Sequence, residues 1–429
     1  MTSSSVLNSR PTTLARRLTR RGISLLLLLA YSQLRAQTPA EITRLNQQIL
    51  PLTAVRASSG FTDLAPLATV VGSARVVGLG ECTHGTREVF QLKHRLLEYL
   101  VTQQGFTTLA LEVDYGYAEI LNEYIQTGAG DSLTVHKAVG FHIWDTTEFW
   151  DMVEWLRAYN QQHATKIRYV GLDMQNPTPN LLRLEHFATQ RADTVLQRQV
   201  RTLRAAYAAP VQAAADTRSQ LMRLADELVQ HLRAVAAPAA MQQHGQVLRQ
   251  GAELMGQKFV AYNTVRDQAM ATNVAWLLQQ EPAAKVVVWA HNTHIRRDED
   301  QPRLGQGLAK QLGPAYVAVG FATGHGTASV FDPEGAAQAL VLAPPVSNSY
   351  EGWLDQAASP NYFLPLRSAA SANKWLTTRR KFRQIGETAP IRLNGQYMWY
   401  APLPSAFDVL VYLRETSASQ PYQAAHLAR

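Results

Sequence analysis

The sequence has very little cysteine and lacks the short motifs by which several common hydrolases are recognised. Cys82 is its only cysteine, so an intrachain disulfide is impossible and the fold must be held by its core. No Gly-x-Ser-x-Gly segment is present, which argues against a serine hydrolase of the usual α/β type. The segment Gly78-Leu-Gly80 lacks the third glycine of a phosphate-binding loop. There is also no His-Glu-x-x-His helix and no cysteine pair to mark a zinc site.

Long hydrophobic runs are also missing, and the chain is less basic than its net charge suggests. The most apolar run, residues 23–30, is too short to span a bilayer comfortably. The formal net charge is +8, but residues 1–36 contain arginines and no acidic residue. The rest of the chain is therefore close to neutral. We expect no nucleic-acid partner, because no global charge bias favours one.

The N-terminal segment predicts a signal peptide over residues 1–36. Its arginines precede the apolar run, and the small residue Ala36 offers a cleavage position. We therefore expect export to the periplasm or the extracellular space, with no stable membrane insertion after signal cleavage. An uncleaved N-terminal anchor is the alternative interpretation.

Strand-like and helical patterns alternate along most of the chain, which predicts an α/β fold. Apolar, β-branched runs alternate with amphipathic stretches, as in a mostly parallel central sheet flanked by helices. Residues 180–280 are almost free of strand signals and predict a helical insertion or lid subdomain, broken near Pro210 and Pro238. The catalytic core would then comprise 37–179 and 281–429. The predicted strands lie at 74–80, 107–113, 167–173, 285–290, 315–321 and 407–413.

Ionisable residues occur near the carboxyl ends of four predicted strands. They are Glu81 with His84, Glu112, Asp173, and His291 with His294. Ligands bind at this edge of a parallel sheet. Each residue alone has an ordinary structural explanation: Glu81 and Asp173 could cap helices, and Glu112 could belong to a buried ion pair. Because buried charges are costly, their coincidence on four strands favours a shared functional site.

These residue types suit hydrolysis by an activated water molecule. A neutral histidine is a base at physiological pH, and a glutamate can orient its ring. An arginine or a second histidine could stabilise the oxyanion, and Asn292 could donate to a carbonyl oxygen. Cys82 is expected to be a packing residue rather than a nucleophile. Two alternatives remain open: a metal-dependent hydrolase with Glu81, His84, Glu112 and His291 as ligands, and a non-catalytic exported ligand-binding protein.

Several motifs resemble those of the erythromycin esterase family, in matching order over about residues 75 to 413. They include Gly80-Glu-Cys-Thr-His-Gly85, Leu109-Ala-Leu-Glu112, Gly171-Leu-Asp173, Arg266-Asp267 and Trp289-Ala-His-Asn-Thr-His294. The resemblance implies an α/β core with a helical insertion and a deep cleft. It implies hydrolysis of a small-molecule ester or macrolide-like substrate without a cofactor or a metal ion. Carried over by these motifs, the catalytic residues are Glu81, His84, Glu112 and His291. The predicted substrate-binding residues are Arg87, Glu88, Asp173, Arg266, Asn292 and His294.

Overall fold

The computed structural model describes residues 37–130, 132–209, 214–298, 301–332, 334–388 and 397–422. The predicted signal peptide, residues 1–36, lies outside this part of the chain. None of the described helices is long and apolar enough to cross a membrane. The core of the molecule is a mixed α/β arrangement in which helices flank a central sheet.

The strands follow the predicted rhythm but differ from it in length. In chain order they are β1 (Leu50–Pro51), β2 (Val76–Leu79), β3 (Thr108–Asp114), β4 (Arg168–Asp173), β5 (Val286–Trp289), β6 (Tyr316–Phe331), β7 (Ala337–Val341), β8 (Asn361–Pro365), β9 (Arg380–Arg383), β10 (Tyr397–Ala401) and β11 (Val409–Thr416). The strand predicted at 315–321 continues to Phe331, because its second half pairs with β7.

The main sheet has the order β1-β8-β11-β6-β2-β5-β3-β4. The pairs from β11 to β4 are parallel, whereas β8 pairs with its neighbours antiparallel. The mostly parallel sheet is thus confirmed. In the central register, Leu79 and Leu111 both lie beside Trp289. The residues that follow these three positions therefore emerge together at one edge.

The helices cover both faces of the sheet. They are α1 (Pro39–Asn46), α2 (Leu67–Val71), α3 (Arg87–Gln104), α4 (Tyr115–Thr127), α5 (Ser132–Lys137), α6 (Thr147–Gln162), α7 (Thr178–Gln190), α8 (Thr194–Ala208), α9 (Ala214–Ala234), α10 (Ala239–Leu254), α11 (Phe259–Gln280), α12 (Asn292–Ile295), α13 (Leu304–Leu312), α14 (Tyr350–Leu354), α15 (Leu366–Ala372) and α16 (Leu403–Ala406). Alternate residues of β2 and β5 face opposite sides: Val77 and Val287 join one hydrophobic cluster, and Val76 and Val286 join another. Burial on both sides explains why these strands are continuously apolar.

Helices α7 to α10 share a hydrophobic cluster of their own, which includes Leu184, Leu196, Leu228 and Leu248. Helix α11 differs from them, because its residues Met270, Val274 and Leu277 join a cluster of the sheet. The predicted helical insertion therefore does not pack only on itself, because α11 packs on the core and Val247 and Leu254 of α10 also join that cluster. This packing matters for the site, since α11 also carries Arg266.

Candidate active site

The carboxyl edge of the central strands brings Glu81, Glu112 and His291 together. The backbone NH of His291 donates to Glu112 Oε2 over 3.0 Å, and the NH of Asn292 donates to the carbonyl of Glu81 over 2.8 Å. These bonds join the segments that follow β2 and β5 to the end of β3. The prediction that separate strands deliver their ionisable residues to one place therefore agrees with the geometry.

Glu81 is fully buried, and three nitrogen groups contact its carboxylate. Its Oε1 lies 2.7 Å from His84 Nδ1, and its Oε2 accepts hydrogen bonds from Lys93 Nζ at 2.6 Å and from Trp289 Nε1 at 3.0 Å. Burial by itself would raise the pKa of Glu81, but the charge of Lys93 and the contact with His84 lower it more. The carboxyl group is therefore ionised, and His84 and Lys93 share its charge.

Lys93 and Trp289 are site residues that the sequence reasoning missed. Lys93 lies on α3 and is fully buried. Burial lowers its pKa to about 8, while Glu81 acts in the opposite direction. The signal was present in the sequence, since Lys93 lies between Leu92 and Leu96 on the apolar face of a predicted helix, where a charge requires a partner.

The contact with Glu81 fixes the tautomer of His84. Because the carboxylate only accepts hydrogen bonds, the shared hydrogen lies on His84 Nδ1, and the lone pair of the neutral ring lies on Nε2. His84 lines two cavities, of about 620 Å³ and about 350 Å³, and Phe141 and Ile143 line both of them as well. The ring is thus positioned where the two cavities approach each other.

His291 lies beside His84, with a distance of 4.8 Å between the ring centroids. Its Nδ1 lies 2.9 Å from Thr293 Oγ1, and its Nε2 lies 3.2 Å from the carbonyl oxygen of Ile385. Burial, reinforced by His84, lowers the pKa of His291 to about 3. His291 is therefore a neutral ring whose two nitrogen atoms both contact protein groups.

Glu112 belongs to a second, separate cluster of buried charges. Its Oε1 accepts from Arg266 Nη2 at 2.8 Å and lies 3.2 Å from His294 Nε2. Burial opposes ionisation, yet His294 and Arg266 hold the pKa of Glu112 well below its usual range. Asp267 lies 2.6 Å from His294 Nδ1. Burial would lower the pKa of His294, but Asp267 and Glu112 outweigh it and raise the pKa to about 9.

Asp173 lies behind this cluster and pairs with Arg266. The guanidinium Nε donates to both carboxylate oxygens, at 3.1 and 3.0 Å. Asp173 is fully buried and does not line the cleft, whereas Arg266 does. The geometry therefore makes Asp173 a partner that orients Arg266, and it does not support the predicted direct contact with substrate.

Three other predicted substrate-binding residues also have structural contacts instead. Arg87 Nε donates to Glu148 Oε1 over 3.0 Å, and Glu88 accepts from the NH and the hydroxyl of Ser417. Neither lines the two cavities that share His84. The amide of Asn292 is bound at both ends to the backbone of Phe321, so it does not face a carbonyl oxygen of a ligand.

The glycines and the cysteine of the first motif have packing roles. A Cβ at Gly80 would lie 2.1 Å from Asn292 Oδ1, and a Cβ at Gly85 would lie 2.0 Å from the carbonyl oxygen of Ser329. Cys82 is buried, and its Sγ lies 3.5 Å from Thr323 Oγ1. Burial raises the pKa of the Cys82 thiol to about 11, which keeps it protonated.

Metal ligation was the alternative use of these residues. Across the described residues, no group of three or more His, Cys, Asp or Glu side chains is arranged to hold a metal ion. Of the four residues of that alternative, Glu81 and His84 contact each other, Glu112 contacts Arg266 and His294, and the ring of His291 contacts Thr293 and Ile385. In these clusters the carboxylate oxygens of Glu81 and Glu112 face Lys93, Arg266 and His294.

The fold and this arrangement define a class of α/β enzyme with a histidine–carboxylate pair at the carboxyl edge of a parallel sheet. The model of the erythromycin esterase family matches residues 101–416, so the chain belongs to this family. The match begins at residue 101 and does not include Glu81 and His84. The roles proposed for these two residues depend on their contacts in the structure and on the resemblance of their motif.

Individual relatives agree with the family. The chain is 26% identical to erythromycin esterase type II of Escherichia coli over an alignment of 411 positions, which includes 84% of this chain and 94% of the relative. A solved structure of a succinoglycan biosynthesis protein is 25% identical, with a TM-score of 0.80 over 91% of this chain and 100% of that one. An erythromycin esterase mutant, EreC in its open conformation, shares the fold at 19% identity, with a TM-score of 0.66 over 85% and 96% of the two chains. Family membership makes the chain a hydrolase that acts on a small molecule.

Proposed function

We propose that the chain is an exported carboxylic-ester hydrolase in which His84 activates water and Glu81 orients His84. The observation that carries the proposal is the 2.7 Å contact between His84 Nδ1 and a fully buried carboxylate that Lys93 keeps ionised. A base must be in the correct tautomer and must face the substrate. His84 meets the first condition through Glu81 and the second by lining both cavities.

The reaction follows from this tautomer. His84 Nε2 removes a proton from water as the water oxygen attacks the carbonyl carbon of the ester. The tetrahedral intermediate then collapses, the bond to the alkoxide breaks, and the protonated ring returns its proton to the leaving oxygen. An open ester gives an acid and an alcohol, and a lactone gives one hydroxy acid. No covalent bond to the protein is needed.

The remaining predicted catalytic residues have supporting roles in this scheme. Glu112 is saturated by cations and by the NH of His291, so it fixes the backbone of His291 rather than accepting a proton. His291 packs beside His84 as a neutral ring. Arg266 and His294 place positive charge on the wall of the larger cavity.

We also propose that the substrate is bulky on both sides of its ester bond, as a macrolactone is. Cavities of about 620 and 350 Å³ both include His84, so substituents of the acyl part and of the alcohol part each have space. Two relatives are named erythromycin esterases, which makes macrolides the first compounds to test.

Mass spectrometry of an ester and macrolide panel tests the reaction. We expect a protein that starts at Gln37 to add the mass of one water to at least one compound. His84→Gln should lower the rate by about 100-fold or more, the usual scale of lost acid–base catalysis. The exposed His163 gives a matched control, because His163→Gln removes an imidazole far from the cleft. Equal rates for the wild type and His84→Gln would refute the role of His84.

Metal content and chelation separate this proposal from a metal-dependent hydrolase. We expect activity to persist after treatment with a chelator. Stoichiometric metal together with loss of activity on chelation would establish the alternative. If the wild type binds panel members without converting any of them, the protein is a ligand-binding member of the family instead.

Export is tested separately. The basic and apolar character of residues 1–36 supports a signal peptide. Expression of the full chain in a Gram-negative host should give periplasmic or secreted protein whose N-terminus lies near Gln37. Full-length protein that sediments with membranes would favour an uncleaved anchor.

A further inference from the structure

Gln384 has a buried side-chain amide without a protein partner in the wall of the larger cavity. It is 3% exposed, and neither its Oε1 nor its Nε2 has a hydrogen-bond partner among the described residues. A buried amide without partners destabilises a fold relative to a satisfied one, because the hydrogen bonds that it made to water are lost and not replaced. Most buried polar groups in native proteins have partners, so an exception in a cleft wall indicates a group reserved for a ligand.

The backbone on both sides of Gln384 is held by hydrogen bonds to other segments, two of which belong to the site. The NH of Ile385 donates to the carbonyl of Cys82 over 2.8 Å, and the carbonyl of Ile385 lies 3.2 Å from His291 Nε2. On the other side, the NH of Arg383 donates to Glu351 Oε1 over 2.8 Å. Gln384 is therefore held between two anchored neighbours, and it lines the same cavity as His84 and His291.

The proposed reaction needs a donor for the oxyanion, and the three donors predicted from the sequence are largely occupied. Both ends of the Asn292 amide are hydrogen-bonded to the backbone of Phe321. His294 lies between Asp267 and Glu112, and Arg266 is shared by Glu112 and Asp173. A donor that is already positioned costs little reorganisation when negative charge develops.

We infer that Gln384 Nε2 donates a hydrogen bond to the oxygen of the substrate carbonyl as that oxygen becomes negatively charged. The inference rests on the proposed esterase function and adds the group that stabilises the tetrahedral intermediate. Because an oxyanion contact strengthens in the transition state, its loss lowers kcat more than it raises KM.

The experiment compares Gln384→Ala with Gln250→Ala. Gln250 is a buried glutamine outside the cleft whose amide exchanges two hydrogen bonds with Asn273, at 2.9 and 3.1 Å. With para-nitrophenyl butyrate, Gln384→Ala should lower kcat by about 10²–10³-fold with KM nearly unchanged. Its Tm should stay at or above the wild-type value, because the lost amide had no partner in the fold. Gln250→Ala should do the opposite, with a lower Tm and an unchanged kcat.

Gln384→Glu provides a second variant that preserves the shape of the side chain. It replaces the NH donor by a carboxylate, so kcat at neutral pH should fall at least as far as in Gln384→Ala. As the pH falls and the new carboxyl group gains a proton, it becomes a donor again. The ratio of variant to wild-type kcat should therefore rise toward acid pH. A ratio that is constant with pH, or a KM increase at constant kcat, would overturn the inference.

Binding of para-nitrophenyl propylphosphonate, a stable tetrahedral anion, distinguishes failure of the inference from failure of the proposed function. We expect Gln384→Ala to weaken this binding by about the same factor as it lowers kcat/KM. If the wild type hydrolyses no ester, the proposed function fails, and the phosphonate still tests the contact. If the wild type hydrolyses esters but the variant binds phosphonate equally well, only the role of Gln384 fails.

Discussion

Replacing Glu81 by glutamine should separate the catalytic role of the buried carboxylate from its role in stability. The change keeps the shape of the side chain but removes the negative charge that faces His84 and Lys93. An amide can present either its oxygen or its NH2 group to the ring, so the tautomer of His84 is no longer fixed. In enzymes whose base is held by a carboxylate, loss of that carboxylate lowers kcat by about 10³–10⁴-fold, and we expect the same scale here.

The stability effect arises from Lys93 rather than from His84. Breaking a buried ion pair by removing one partner costs about 3–5 kcal/mol, because the other charge is left buried. Lys93 can avoid part of this cost by losing its proton, since burial already lowers its pKa to about 8 in the presence of Glu81. Without Glu81 the pKa of Lys93 falls further. When the pKa of a lysine is lower in the folded state than in the unfolded state, the unfolded state binds more protons between the two pKa values. The destabilisation caused by Lys93 therefore decreases as the pH rises.

Chemical denaturation and ester hydrolysis, measured on the same proteins, provide the assay. Glu81→Gln should be destabilised by about 3–5 kcal/mol near neutral pH, and by less near pH 9. Adding Lys93→Met should restore most of this stability, because no buried charge remains, but it should restore no activity. An activity of Glu81→Gln within about tenfold of the wild type would refute the orienting role, since the expected loss is at least a hundred times larger. A double variant as unstable as Glu81→Gln would refute the pairing of Glu81 with Lys93.

Three further predictions concern the surroundings of the pair. His294 has a pKa of about 9 in the folded state, so the stability that it contributes is complete below its unfolded pKa near 6.5 and is lost as the pH rises through 9. Thermal melts should show this alkaline loss of stability in the wild type and not in His294→Gln. Gly80→Ala should destabilise the fold by about 1–3 kcal/mol, measured by denaturant titration, because its Cβ would lie 2.1 Å from Asn292 Oδ1; an unchanged midpoint would show that Asn292 can move. Arg87→Gln should leave kcat/KM at the wild-type value, since Arg87 contacts Glu148 outside the cleft, whereas a large increase in KM would return Arg87 to substrate binding.

The parallel sheet and the strand ends could be predicted because both depend on short-range patterns. Continuous apolar runs mark strands buried on two faces, and the residue after each run is at the edge where ligands bind. Glu81 and His291 were found in this way, and Glu112 was found as an acidic residue near the end of its predicted strand. Their proximity follows from the parallel register of β2, β5 and β3 alone.

The helix side of the site was harder to predict. The apolar face of α3 was visible, but the sequence does not show that Lys93 on that face reaches Glu81. Arg87 and Glu88 begin the same helix, and their place in the motif suggested the cleft. The structure instead directs them toward Glu148 and Ser417. The rotation of a helix about its axis depends on packing with distant segments, which a local pattern does not contain.

Gln384 could not be predicted from the sequence at all. It follows β9 in a region rich in glycine, proline and serine without a clear period, about a hundred residues after His291. Only the bonds from Ile385 to Cys82 and to His291 bring it to the cleft. Contacts between segments so far apart in the chain depend on the whole topology, which sequence periodicity does not specify.

We propose different roles for His84 and His291 because their surroundings stabilise a positive charge on the ring to different extents. In the proposed mechanism His84 takes a proton from water, and Glu81 then lies 2.7 Å from the new charge, which the neighbouring Glu112 also attracts. Among the described residues, no carboxylate contacts the ring nitrogens of His291, and a charge on His84, whose ring centroid is 4.8 Å away, opposes a second charge there. His291 therefore stays neutral through the cycle and holds its contacts with Thr293 and Ile385. The proposed mechanism therefore transfers the proton that His84 removes from water to the departing alkoxide.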